Sequence, residues 1–154
     1  MAGEPTPEQA LEPKNPEYRE RTGRWAEGHT FATHLGIEVT RCEPGRIEVE
    51  MEPTPYHVSA RHYIHTGVIL TVGEFAAALA SLTLLGPDEH GEHVELKVDF
   101  ARAARGERLI ARARVDDAGR RLVASTAEVF VVMGPREALV AKLRTVQQVA
   151  PGTE

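Results

Sequence analysis

One carboxylate sits inside an otherwise apolar stretch. Residues 68–85, VILTVGEFAAALASLTLL, carry Glu74 as their only charge. An ionised carboxylate shut away from water without a partner is costly, and burial raises its pKa. A glutamate tuned that way is useful near neutral pH as a general base or a nucleophile. On a helix, positions 67, 71, 74, 78 and 81 share one face. Here they are Gly67, Thr71, Glu74, Ala78 and Ser81, while Leu70, Val72, Phe75, Leu79 and Leu82 lie elsewhere. A small, polar strip of that kind admits close approach by a substrate, a sheet or a partner helix. It equally suits a packing groove in which an arginine neutralises Glu74. At the start of the same helix, the N–H groups of Thr66 and Gly67 lack intrahelical acceptors and lie at the positive end of the helix dipole.

Other residues compete for a chemical role. HYIH and HGEH each place two histidines three apart, but no cysteine helps them, and no metal site is expected. Cys42 follows a strand-like run beside Glu-Pro-Gly, with no histidine nearby to activate it.

The elements that would position Glu74 are legible. IEVTRCEPGRIEVEMEP reads as a hairpin: Ile47, Val49 and Met51 alternate with Glu48, Glu50 and Glu52, and EPGR supplies the turn. HTFATHLG before it reads as a short helix capped by Thr30 and stopped at Gly36. PYHVSARHYIHTG is an irregular loop into the long helix, Gly86-Pro87 ends that helix, and GPDEHGEH is a polar loop. VELKVDF, RLIARARV and LVASTAEVFVV then alternate as strands, and ALVAKLRTVQQV continues the pattern. In VELKVDF, Val94, Leu96, Val98 and Phe100 are expected on one face. The fold class is α+β, an antiparallel sheet wrapped around a long central helix, which explains why that helix is apolar nearly all round.

Composition bounds the rest. The chain has 154 residues, 42% hydrophobic and 27% charged, which suits one domain. Residues 1–24, with four prolines, read as a polar tail, 25–150 as the domain and 151–154 as a second tail. An arm packed on a partner and anchored by Tyr18 and Trp25 is the alternative for the first. A net charge of −5 argues against nucleic acid. A single cysteine and no apolar leader point to the cytoplasm. The 18-residue apolar run is not expected to span a membrane, because Glu74 at mid-bilayer would cost about 2.5–3.5 kcal/mol.

IHTGVILTVGEFAAALASL, ELKVDFARAARGERLIARARV and GRRLVASTAEVF, in this order, resemble the hotdog-fold acyl-CoA thioesterases. The nearest branch is the PaaI-like and 4-hydroxybenzoyl-CoA thioesterase group, over roughly residues 31–149. That group opens its helix with His-Gly-Gly and places an acid nine residues after the histidine. His65 and Glu74 have this spacing, Gly67 matches the second glycine, and Thr66 replaces the first. The resemblance implies that the Thr66 N–H polarises a thioester carbonyl. It places Ser59 where the family often has Asn or Gln, and His62 where a glycine is common. His65 would orient the loop or hydrogen-bond near the carbonyl.

On this reading Glu74 activates water or attacks the carbonyl. Thr66 or Gly67 donates to the oxyanion. Val68 and Phe100 line an acyl pocket beside Leu70 and Phe75. Arg102 and Arg105, with Arg108, Arg120 and Arg121 as further candidates, meet the phosphates of coenzyme A. Coenzyme A enters as part of the substrate, and no cofactor is expected. Thr66 and Glu74 stand eight residues apart, about 12 Å along one helix, so they cannot both reach one carbonyl. If both act on one thioester, they come from two subunits, which predicts a homodimer or a dimer of dimers. A non-catalytic acyl-CoA or lipid-binding module is the alternative. A hydratase or dehydratase is less favoured, since the His-Phe-Pro-Gly pattern of the fatty-acid-synthesis type is missing from the chain.

Overall fold

A computed structural model describes residues 11–152. The elements are α1 (Tyr18–Gly28), α2 (Thr30–His34), β1 (Glu38–Glu43), β2 (Arg46–Met51), α3 (Thr66–Leu82), β3 (Glu89–Phe100), β4 (Arg108–Ala118), β5 (Leu122–Met133) and β6 (Arg136–Pro151). The strands form one antiparallel sheet in the order β1-β2-β4-β5-β6-β3. α3 leaves β2 and delivers the chain to β3 at the far edge, so it crosses the concave face of the sheet. This is the α+β arrangement that the periodicity predicts, and the hotdog fold that the resemblance implies.

α3 is held tightly against that face. Val72, Phe75, Ala76, Ala77, Leu79 and Ala80 are all buried. Gly73 marks the closest approach: a Cβ there would fall 2.5 Å from Leu143 Cδ1 and 2.9 Å from Val129 Cγ2. Ser81 faces β5, where its hydroxyl lies 2.9 Å from Ser125 Oγ in the core. Leu143 faces the helix, so by strand alternation Thr145 and Gln147 share its side of β6. The opposite face of the sheet carries ion pairs between strands, among them Arg112 of β4 with Glu48 of β2 and Glu137 of β6 at 2.8 and 2.9 Å.

Two expectations about the chain's organisation change. Residues 1–10 and 153–154 lie outside the described residues, so the tails expected there are not described. From Leu11 onward, however, the segment expected as a tail packs on the domain. Thr22 and Asn15 are buried. Arg21 donates to the carbonyls of Gly86 and Glu89, and Lys14 pairs with Glu89 at 3.2 Å. Prolines and charges suggested a solvated tail, but Arg21 instead satisfies carbonyls where the chain leaves α3, and Lys14 pairs with a carboxylate there. Trp25 anchors within its own chain, 5.0 Å from the ring of His29 and 6.0 Å from that of Phe75.

β3 also differs. It begins at Glu89, inside the stretch expected as a polar loop, and a bulge interrupts its ladder with β6. His93 pairs with Gln147, but Glu95 pairs with Val146, leaving Val94 as the extra residue. Leu96, Val98 and Phe100 therefore share the helix-facing side as expected, while Val94 is the unpaired residue of the bulge. β3 is an edge strand, and Val94, Leu96 and Phe100 are exposed along it.

Candidate active site

The entrance to α3 is built by local capping. The His65 side chain accepts the Gly67 N–H on Nδ1 at 2.9 Å, with His65 in an extended conformation at φ −61° and ψ 137°. Nδ1 is therefore unprotonated, and in the neutral ring the hydrogen lies on Nε2. The cap occupies Gly67, so of the two expected donors only the Thr66 N–H has no acceptor among the described residues. The loop before it is braced by backbone bonds, Ile64 N–H to Ala104 at 2.8 Å and His65 N–H to His57 at 2.9 Å.

Thr66 opens onto a cavity of about 440 Å³, lined by Tyr63, Ile64, Ile69, Phe100 and Arg102 among others. The wall is mostly apolar, with one guanidinium present. Of the expected substrate contacts, Phe100 and Arg102 line this cavity. Val68 is buried in the core, and its neighbour Ile69 takes the lining position. Arg105 lies over the Tyr63 ring at 4.9 Å and donates to the Arg61 carbonyl at 2.6 Å, so it clamps the loop. Arg108 pairs with Glu50 at 3.3 Å, and Arg120 and Arg121 are exposed in the β4–β5 turn.

Ser59 faces a separate cavity of about 520 Å³ beside His62 and Gly106. Its hydroxyl accepts the Arg61 N–H at 3.3 Å within its own turn. His62 takes a left-handed backbone at φ 62°. A glycine adopts that region without cost, which explains the family's preference at this position.

Glu74 stands two turns farther along α3, beside β3, with its side chain 31% exposed. Burial pushes its carboxyl above the usual glutamate range. No arginine or lysine neutralises it among the described residues. Its contact is His93, whose Nε2 lies 3.2 Å from Oε1. Burial pushes the His93 imidazole below its usual pKa. Both shifts come from burial, and both oppose a fully charged pair. His93 is the site residue that sequence reasoning missed. HGEH reads as a loop, and alternation counted back from Leu96 turns residue 93 away from the helix. His90 and His93 point to opposite faces of β3, and the described residues contain no metal-binding cluster.

The architecture defines the hotdog class: a curved antiparallel sheet enclosing a helix that bears a lone acid at the open edge. The thioesterase superfamily model matches residues 62–135, which include the helix and the first strands after it. The chain resembles the thioesterase superfamily over that segment, and the whole fold is that of hotdog thioesterase-family structures. It is similar to a thioesterase family protein from Silicibacter pomeroyi, with 26% identity and a TM-score of 0.85 over 88% of this chain and 99% of that one. The E. coli PaaI protein, from the phenylacetic acid degradation operon, shares the fold at 20% identity and TM-score 0.79, covering 91% and 98% of the two chains. A thioesterase from Haemophilus influenzae does so at 20% identity and TM-score 0.77, covering 88% and 92%. No functionally curated protein matches the chain. No helix among the described residues is long and apolar enough to cross a membrane.

Proposed function

We propose that this protein hydrolyses acyl-CoA thioesters at a site shared between two copies of the chain. The observation that carries the reading is the placement of Glu74: half-buried, raised in pKa, without a lysine or arginine partner, and beside an open sheet edge. Thr66, with its free N–H above an apolar cavity, supplies the oxyanion donor. Since Thr66 lies about 12 Å away on the same helix, each thioester meets Glu74 of one protomer and Thr66 of the other. The edge strand β3, with Leu96 and Phe100 exposed, supports the pairing.

In the reaction, Glu74 takes a proton from water as its oxygen attacks the thioester carbon. The carbon–sulfur bond then breaks, and the proton passes to the leaving coenzyme A sulfur. Glu74 acting as the nucleophile itself gives the same products through an anhydride that water cleaves. Phe100 and Ile69 hold the acyl group, and Arg102 meets the coenzyme A phosphates.

Purified protein offered aryl- and fatty-acyl-CoAs with a thiol-trapping dye is expected to release thiol. Glu74→Gln is expected to lower kcat by about 10²–10⁴, the usual worth of a general base. One observation favours a second reading, a non-catalytic acyl-CoA-binding module: Ser59, in place of the family amide, turns its hydroxyl into its own loop. Tight acyl-CoA binding with no thiol release would select that module. A change in enoyl absorbance without thiol release would select a hydratase.

A further inference from the structure

We infer that the bulge at Val94 turns His93 toward the helix to hold the Glu74 carboxylate, making His93 a positioning residue for that acid. The inference rests on the reading of Glu74 as the catalytic acid. An unbroken β3 would put residues 92, 94, 96, 98 and 100 on the inner side and His93 in solvent. The extra residue reverses this, so Gly91 and His93 face inward while Leu96, Val98 and Phe100 keep their places. Bulges re-aim side chains in this way next to functional sites.

The result is His93 Nε2 at 3.2 Å from Glu74 Oε1. The contact is at ion-pair distance without hydrogen-bond alignment, and a ring hydrogen on Nε2 is the donor that would turn onto Oε1. Such contacts are often poorly aligned in a free enzyme and tighten when substrate binds. The surroundings fit a neutral imidazole. On β6, Gln147 opposite His93 and Thr145 beside it are buried and uncharged. Gln147 Oε1 has no donor among the described residues, and a water would satisfy it. His90, Glu92 and Glu95 of β3 point to the other face, so Glu74 is the one charged group facing His93 among the described residues.

Two measurements test this. The first follows the seven histidines of the full chain by NMR, with His93→Gln identifying the resonance. Removing the Glu74 charge as Glu74→Gln is expected to lower the His93 titration midpoint. An unchanged midpoint overturns the inference, whether or not the protein hydrolyses anything.

The second is kinetic. His93→Leu is expected to lower kcat roughly 10–100-fold with KM unchanged, the scale of a misplaced catalytic group. His93→Gln, which keeps an N–H donor, is expected to recover part of the loss. Full kcat in His93→Leu, alongside loss in Glu74→Gln, overturns the role of His93 and leaves the thioesterase reading standing. No hydrolysis by the wild type, alongside a His93 midpoint that responds to Glu74→Gln, overturns the thioesterase reading and leaves the pairing standing.

Discussion

A half-buried glutamate gives up its proton late, and this has two measurable consequences. In the proposed reaction the active form of Glu74 is the carboxylate. The acid limb of kcat/KM is therefore expected to have its midpoint above 4.5, the ordinary glutamate value. A pH–rate profile checks it. The second consequence concerns stability. The folded chain keeps the Glu74 proton to higher pH than the unfolded chain does, so stability falls as pH rises from 4.5 through the raised value. Glu74→Gln removes that loss and is expected to be more stable than the wild type at pH 7, though inactive. His93 acts in the opposite sense. Its imidazole resists protonation in the fold, so stability is lost as pH falls below 6.5 toward the lowered value. Urea unfolding of both single variants at pH 5 and pH 7 separates the two slopes.

At the scale of elements, the contact of α3 with the sheet is decided by one missing side chain. Gly73→Ala is expected to cost about 1–3 kcal/mol, because its methyl group meets Leu143 and Val129 at distances no real contact allows. A lower urea midpoint at unchanged slope would show it. The N-terminus of α3 tolerates more. His65 already has the extended backbone that precedes a proline, and proline is favoured at the first helical position. Thr66→Pro therefore deletes the proposed oxyanion donor while keeping the helix. It is expected to lower kcat by about 10²–10³ with the melting temperature little changed.

The whole molecule carries the strongest test, because one chain cannot complete the proposed site. Sedimentation is expected to show a dimer or a dimer of dimers, and Leu96→Lys on the exposed edge is expected to weaken it and activity together. Mixing makes the argument sharper. A heterodimer of Glu74→Gln and Thr66→Pro chains contains one site with both defects and one site with neither. Refolding the two inactive variants together is expected to restore about a quarter of wild-type activity, since half the dimers are mixed and each has one intact site. No recovery would mean that Glu74 and Thr66 do not meet across subunits.

The sequence by itself determined the elements whose signal is local. Strict alternation in RIEVEM and RLIARARV fixed two strands, the apolar run from Val68 fixed the buried helix, and the lone charge in that run singled out Glu74. Each depends on neighbours a few residues away. What only the tertiary structure decided depends on contacts between distant segments. One inserted residue in β3, visible only in its pairing with β6, reverses the face on which His93 lies. The arginines show the same limit, since Arg105 and Arg108 are committed to Tyr63 and Glu50 by proximity across the fold. Residues from Leu11 read as a tail because their prolines and charges form no periodic pattern. Their order comes from carbonyls more than sixty residues away that Arg21 satisfies.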